Sequence, residues 1–142
     1  MKLVKKLAAV GAIVLMTGCA TGLNSVQQRE YAAFENDGVL IVEKSPTTAL
    51  ALGLLPGFGS FYVREPGLGV INLLLWPLSI LWDPISGQDG AKAINYDMTR
   101  HHLKKEKAKE FTALDEELLL EKIDNDAYVS AKRKIDAKYD YQ

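Results

Sequence analysis

The sequence predicts a mainly α protein in which an apolar helical hairpin, residues 47–86, is followed by a charged helical C-terminal region, residues 87–142. Two observations support this fold class. Between Ser45 and Gln88 the only charged residues are Arg64, Glu65 and Asp83, whereas residues 89–142 hold eleven basic and twelve acidic residues. In both regions apolar or small residues recur at intervals of three and four, as they do along one face of a helix. We expect a turn at the boundary between the two regions, near Gly87–Gly90, because the stretch "SGQDG" is rich in turn-forming residues.

The N-terminal residues 1–18 have the three-part layout of a secretory signal peptide. Three lysines are followed by about ten apolar residues, Leu7 to Met16, and then by Thr17 and Gly18. Without this segment the chain has 124 residues and a formal charge of −4 instead of −1, because three lysines are lost. We therefore expect one small acidic domain, and we expect no nucleic-acid partner because such proteins usually present a basic face.

Cys19 is the only cysteine, which excludes an intramolecular disulfide. The stretch "LMTGC" resembles the bacterial lipoprotein signal motif, with Met16 where that motif usually has leucine. The resemblance implies cleavage before Cys19 and attachment of acyl chains such as palmitate, which together suffice for stable anchoring. Ala20, in place of an aspartate, implies the outer membrane in preference to the inner one, although an inner-membrane location stays open. The alternative is that Cys19 is an unmodified buried thiol.

Residues 19–46 are predicted to form a tether between the anchor and the hairpin. Ser25 is a candidate N-cap for a short helix through Phe34, which the segment Asn36–Gly38 then ends. The segment "VLIVEK", Val39 to Lys44, has the composition of a strand, but no partner strand is evident in the sequence.

The hairpin has two apolar arms, Thr47–Leu55 and Gly67–Trp82, with a turn at Arg64–Pro66 between them. The stretch Pro56–Gly59 breaks the apolar run after the first arm, since proline removes a backbone donor and glycine relaxes the backbone. The second arm, if helical, would be about 24 Å long, whereas the hydrocarbon core of a bilayer is about 30 Å thick. We therefore expect a membrane-associated helical hairpin that lies shallowly in the bilayer.

Small and polar residues define one face of each arm, and we assign them to packing between the arms. These hairpin-packing residues are Ala49, Gly53, Gly57, Gly69, Asn72 and Ser79. Trp76 and Asp83 continue the stripe of the second arm at the same spacing. The alternative is that both stripes are ordinary packing in a soluble helical core.

Aromatic residues near the break and in the second arm indicate the level of the lipid headgroups, where tryptophan and tyrosine are enriched. The residues assigned to this interfacial role are Phe61, Tyr62, Trp76 and Trp82.

The order "ALALGLLPGFGSFYV", a turn, "GLGVINLL" and "LWD" resembles the two-transmembrane-helix domain family over residues 47–83, about a quarter of the chain. The matching positions are Gly57, Gly59, Phe61, Tyr62, Gly67, Gly69 and Asp83. Ser60, Pro56 and Pro77 depart from the family pattern. The resemblance implies residence in a membrane through transmembrane helices, and no catalytic activity.

The C-terminal region is predicted to form two helices that fold back on each other. In the first helix, residues 91–121, Phe111, Leu114 and Leu118 form an apolar seam, which Leu119, Leu120, Glu121 and Ile123 extend. A turn at Asp124–Asp126 can cap a second helix that places Tyr128, Ala131, Ile135 and Tyr139 on one face. The stretch "LLLEKIDNDAYVSAKRKI" resembles the short C-terminal oligomerisation domain of bacterial proteins, and a solvated charged helix pair is the alternative.

The sequence contains no convincing constellation for catalysis, metal binding or a cofactor. His101 and His102 point about 100° apart on a helix, and Asp97 with His101 would supply only two metal ligands. We therefore expect no enzyme activity, no metal and no cofactor. The predicted function is that of a structural or interaction lipoprotein whose partners are membrane lipid and either a second copy or another envelope protein. The alternative is a soluble lipid- or peptide-binding module tethered by its acylated N-terminus.

Overall fold

A computed structural model of the chain describes residues 22–141, and within that range it contains helices and no strand. The mainly α fold class is therefore confirmed. The signal peptide and Cys19 lie outside the described residues. The helices are α1 (Ser25–Asn36), α2 (Pro46–Leu52), α3 (Phe58–Tyr62), α4 (Pro66–Leu74), a 3₁₀ turn (Leu78–Leu81), α5 (Asp83–Leu119) and α6 (Asn125–Lys138).

The described chain divides into two units. The first, here called the apolar unit, comprises residues 42–94 together with Gly22 and Leu23. The second, here called the charged unit, comprises residues 24–41 and 95–141. Helix α5 contributes residues to both.

Helix α1 begins one residue away from the predicted cap. Asn24, not Ser25, is the N-cap, because its side chain accepts hydrogen bonds from the backbone N–H groups of Val26 and Gln27, both at 3.0 Å. The Gln27 side chain in turn accepts from the Asn24 backbone N–H, which completes a capping box. The prediction of Ser25 is therefore wrong by one residue, because Gln27 stands three residues after Asn24 and forms the box with it.

The strand predicted at Val39–Lys44 does not form. The N–H groups of Val39 and Leu40 donate to the carbonyl oxygen of Phe34, and the Ile41 N–H donates to Thr99 Oγ1 at 2.9 Å. Backbone groups that a strand would pair with a neighbouring strand are satisfied instead at the end of α1 and by a side chain of α5.

The two predicted arms are replaced by four short helical segments. The first arm ends at Leu52 instead of Leu55, and α3 begins after the break at Pro56 and Gly57. The second arm stops at Leu74 and, after a turn that contains a cis peptide bond between Trp76 and Pro77, continues only as a 3₁₀ turn. Among residues 22–141, no helix combines the length and the apolar character needed to cross a bilayer.

The turn predicted at Gly87–Gly90 is also absent, because these residues lie within α5. The small size of Gly87 serves close packing instead. A Cβ atom added at Gly87 would lie 3.1 Å from the carbonyl oxygen of Ala49 and 3.2 Å from Cα of Gly59. Ala49, Val63 and Ala91 form the buried apolar cluster of the apolar unit.

In the charged unit, α5 and α6 form the predicted helical pair. Asp124 caps α6 through a hydrogen bond from the Ala127 N–H at 2.8 Å. Phe111, Leu114 and Leu118 are buried or half-buried, as are the four residues predicted for the inner face of α6, namely Tyr128, Ala131, Ile135 and Tyr139. The predicted widening of the seam is wrong for Leu119 and Leu120, because they lie at the end of α5 and remain 82% and 61% exposed.

Candidate functional site: a polar core beneath an apolar surface

The apolar unit encloses a network of hydrogen-bonded polar side chains. Ser60 lies on α3, Asn72 lies on α4, and Asp83 is the first residue of α5. All three are at most 2% exposed. Each side chain comes from a different helical segment, so the network joins the segments to one another.

Asn72 lies at the centre of this network. Its Nδ2 donates to Ser60 Oγ at 2.9 Å and to Asp83 Oδ1 at 2.8 Å, while its Oδ1 accepts from Trp82 Nε1 at 2.8 Å. The Ser60 hydroxyl donates to Asp83 Oδ1 at 2.5 Å. Asparagine suits this position because its amide carries both a donor and an acceptor.

Two buried side-chain oxygens of the apolar unit, Ser79 Oγ and Asp83 Oδ2, lack a hydrogen bond within the described chain. Ser79 is 1% exposed. A buried polar atom without a partner is destabilising, by about 1–3 kcal/mol. Ser60 and Ser79 are therefore equally buried, but only the Ser60 hydroxyl has hydrogen-bond partners within the described chain.

Glycine residues bring the backbones of the segments together around the network. A Cβ atom added at Gly53 would lie 2.4 Å from Pro84 Cα and 2.4 Å from Pro84 N. One added at Gly57 would lie 2.2 Å from the carbonyl oxygen of Gly69, and Gly57 also has a φ of +77°, which favours glycine. These approaches leave no room for a larger side chain.

All six residues assigned to hairpin packing are buried, namely Ala49, Gly53, Gly57, Gly69, Asn72 and Ser79. They are not packed as two facing stripes of a hairpin, since the arms are broken into shorter pieces. Trp76, which shares the spacing of the second stripe, is 55% exposed because the helix ends before it.

The surface of the apolar unit has the opposite character from its interior. Fourteen large apolar side chains between Leu50 and Ile85 are exposed. They come from every helical segment of the unit, and the most exposed are Leu74 at 78% and Leu81 at 75%. Most large apolar side chains of the unit thus lie on its surface, while its buried side chains are small, as in Ala49, Val63 and Ala91, or polar, as in Ser60, Asn72 and Asp83. A water-soluble domain usually buries its large apolar side chains, so the polarity of this unit is inverted in that respect.

The four aromatic residues predicted to be interfacial occupy different environments. Phe61 is 41% exposed, and its ring contacts the position where a Cβ of Gly69 would lie. Tyr62 is half-buried, and its hydroxyl accepts a hydrogen bond from the Ser45 N–H at 3.1 Å. Trp82 is half-buried and uses its N–H within the polar network, so this polar group is not available to lipid headgroups.

Charged residues of the apolar unit gather beside Tyr62. Lys44 Nζ lies 4.5 Å from the centre of the Tyr62 ring, within cation–π distance. Arg64 and Glu43 form an ion pair next to it. We call Glu43, Lys44, Tyr62 and Arg64 the charged rim.

In the charged unit, hydrogen bonds shift several pKa values. The Lys138 ammonium, helped by the Tyr139 hydroxyl, lowers the pKa of the Glu110 carboxyl, and the same contact raises the pKa of Lys138. Burial, and then the hydrogen bond to Glu30, raise the pKa of the Tyr96 hydroxyl. These groups link helices to one another and are not arranged around a reacting centre.

The histidines considered as metal ligands are exposed, as is Asp97. Within residues 22–141, no three His, Cys, Asp or Glu side chains are close enough to hold a metal ion. Sequence reasoning placed Asn72, Ser79 and Asp83 on one stripe but missed Ser60. The signal that could have found it is an isolated polar residue in the apolar stretch Ser60–Val63 that follows the break, since such residues usually pair inside the fold.

Comparison with family models found no match. Comparison with curated proteins and with solved structures likewise found no significant match.

Proposed function

We propose that this chain is a non-catalytic bacterial envelope lipoprotein that is anchored through acylated Cys19 and whose apolar unit embeds in a membrane. Its role is structural or that of an interaction partner, with the charged unit in the periplasm and the outer membrane as the preferred location. Two resemblances support this proposal. Residues 47–83 resemble the two-transmembrane-helix domain, and "LMTGC" resembles the lipoprotein motif. The observation that carries it is the inverted polarity of the apolar unit.

The exposed apolar surface is costly in water. Fully burying a Leu, Ile or Phe side chain is worth about 1.5–3 kcal/mol, so fourteen half-exposed side chains forgo on the order of 10 kcal/mol. That amount is comparable with the whole stability of a small domain. Lipid tails remove this cost, because they provide an apolar surrounding for every segment at once.

The interior of the unit suits the same surroundings. In lipid, polar side chains face the inside of a bundle and hydrogen-bond there, while small residues allow backbones to approach closely. Ser60, Asn72 and Asp83 follow the first rule, and Gly53 and Gly57 follow the second. A non-catalytic role fits this burial, because a substrate has no access to the hydrogen-bonded side chains of Ser60, Asn72 and Asp83.

The charged rim supports an orientation in the membrane. Helix α4 starts at Pro66, two residues after Arg64, and its nine residues extend about 13 Å to Leu74. With the rim at the headgroups, Leu74 lies near the middle of a bilayer whose hydrocarbon core is about 30 Å thick. In this orientation the apolar unit inserts shallowly, from one side of the bilayer. Phe61 and Tyr62 then lie at the level of the headgroups, and Trp76 lies at the deep end of the unit.

Fractionation of a non-acylated chain tests this proposal. Residues 1–19 are replaced by a cleavable secretory signal peptide, so that the chain is exported without Cys19, and membranes are washed with alkaline carbonate. We expect the chain to stay in the membrane pellet. Release into the supernatant contradicts embedding and favours the soluble binding module instead.

A matched pair of variants makes the test specific. Leu74→Glu with Leu81→Glu places two carboxylates at the two most exposed apolar positions of the unit and is expected to release the non-acylated chain. Ala108→Glu with Ala113→Glu adds the same charge to exposed positions of α5 in the charged unit and is expected to leave it in the pellet. Equal behaviour of the two variants counts against the proposed membrane-facing surface.

A further inference from the structure

The charged unit contains a groove that the proposed function does not use. Its volume is about 750 Å³, and α1, α5 and α6 all contribute to its walls. Small-molecule sites usually enclose about 300–1,000 Å³. The groove therefore has the size of a site for a small organic ligand, and the chemistry of its walls indicates which kind.

One wall of the groove is aromatic. Phe34 is only 2% exposed, and its ring lies 5.9 Å from the stacked ring of Tyr96 and 5.0 Å from the edge-on ring of Tyr141. Tyr139 and Leu103 also line the groove. Planar apolar groups pack well against such a surface, because aromatic rings favour offset or edge-to-face contacts with one another.

The carboxylates that line the groove already have partners. Glu30 accepts a hydrogen bond from the Tyr96 hydroxyl at 2.5 Å, and Asp136 is paired with Lys107 at 2.8 Å. Asp140 is likewise engaged in an interaction of its own. The charge of Asp136 is therefore balanced by Lys107, and the carboxylate of Glu30 is held by the Tyr96 hydroxyl.

Two cations of the groove are not paired with a carboxylate. Arg100 donates one hydrogen bond, from Nη1 to the Tyr96 hydroxyl at 3.3 Å, and this leaves its other guanidinium donors open. Lys104 makes no hydrogen bond or ion pair within residues 22–141. The two residues are four apart on α5 and so lie on the same face, with their Cβ atoms about 6 Å apart.

We propose that this groove binds a small organic anion that carries a planar apolar ring. Its carboxylate contacts Arg100 and Lys104, since a guanidinium is especially suited to binding a carboxylate. Its ring packs against the half-buried side chains of Leu103, Tyr139 and Tyr141, behind which Phe34 is buried. The inference is independent of membrane embedding, because every residue that it uses lies in the charged unit.

Calorimetric titration tests the proposal with full-length protein in lipid nanodiscs. The probe is naphthalene-2-carboxylate, and the matched neutral compound is naphthalene-2-carboxamide. Titration of empty nanodiscs gives the contribution of the lipid. We expect saturable binding of one carboxylate per chain above that background, and at least tenfold weaker binding of the carboxamide.

Two pairs of substitutions locate the site. Arg100→Gln with Lys104→Gln removes both open cations and is expected to weaken binding of the carboxylate at least tenfold, with Lys104→Gln alone giving an intermediate loss. Lys105→Gln with Arg133→Gln removes the same charge from exposed positions that do not line the groove, and less than a twofold change is expected. Unchanged far-ultraviolet circular dichroism verifies that each variant is folded.

Three results overturn the proposal. One is the absence of saturable binding above that of empty nanodiscs. Another is equal affinity for the carboxamide, which would remove the role of the two cations. The third is a loss of carboxylate affinity in the Lys105 and Arg133 variant as large as that in the Arg100 and Lys104 variant, because the effect would then come from the net charge of the chain.

Discussion

Replacing Gly53 by alanine tests the close packing of the apolar unit. Gly53 has ordinary right-handed backbone angles, φ −64° and ψ −15°, so alanine fits its conformation. Its new Cβ would nevertheless lie 2.4 Å from Cα and N of Pro84 and 2.8 Å from the carbonyl carbon of Asp83. Carbon atoms in contact prefer about 3.5–4.0 Å, so the two segments have to separate by roughly 1 Å.

The expected cost follows from which atoms are in the way. Side chains can rotate out of an overpacked site, but the contacts at Gly53 are with backbone. Overpacking costs about 1–3 kcal/mol, and a backbone contact of this kind belongs at the upper end, about 3 kcal/mol. A loss of that size lowers Tm by roughly 10 °C in a chain of this length.

Gly67→Ala is the matched control. Gly67 lies in α4, and a Cβ added there meets no atom within 4 Å. Thermal unfolding of both variants is followed by circular dichroism in lipid nanodiscs. We expect Gly67→Ala to change stability by less than about 1 kcal/mol, in the favourable direction, since alanine is the better helix former. Equal Tm values for the two variants would refute the close approach of Gly53 to α5.

Two further predictions follow from the hydrogen bonds. Ser79→Ala is expected to raise Tm, by the equivalent of about 1 kcal/mol, because it removes a buried hydroxyl without a partner within the described chain. Ser60→Ala is expected to lower Tm, because it breaks two hydrogen bonds of the network. Thermal unfolding in nanodiscs measures both, and a Tm change of the same sign in the two variants would contradict the network. The second prediction concerns Glu110, whose folded-state pKa lies below its unfolded value of about 4.3. Its contact with Lys138 therefore stabilises α6 above about pH 5, and this stabilisation is lost as the pH falls through the lowered pKa. Amide protection factors in α6, which exclude the intrinsic pH dependence of exchange, are expected to fall over that acidic range in the natural chain but much less in Glu110→Gln, with Glu117→Gln as the exposed control. An identical pH dependence of the protection factors in Glu110→Gln would exclude the contact.

Local spacing predicted burial better than it predicted where helices end. The intervals of four between Ala49, Gly53 and Gly57 identified residues that are indeed buried, because a repeated small residue marks a backbone approach whether or not the helix is continuous. The break after Leu74 was missed, since the local sequence "LLLWP" is uniformly apolar and only Pro77 interrupts it. Its position depends on how Asn72 and Trp82 meet, which is a tertiary contact.

The glycines near the start of α5 led to the wrong prediction of a turn where the helix is continuous. Gly87 and Gly90 in "SGQDG" have the composition of a turn, but both lie within a helix. At Gly87 the need for a small residue comes from Ala49 and Gly59, which are distant in sequence. A single sequence cannot distinguish a glycine that a turn requires from one that close packing requires.

The depth of the apolar unit in a bilayer tests the central claim most directly. A nitroxide label is attached to a single cysteine introduced at Leu74 or Leu81 of the non-acylated chain, and at exposed Ala108 or Ser130 for reference, after reconstitution into lipid vesicles. Collision rates with oxygen, which concentrates in lipid, are compared with those of a water-soluble nickel chelate. We predict that collisions with oxygen dominate at Leu74 and Leu81, and collisions with the chelate at the reference positions. Frequent collisions with the chelate at Leu74 and Leu81, or shielding of both labels from both reagents, would contradict it.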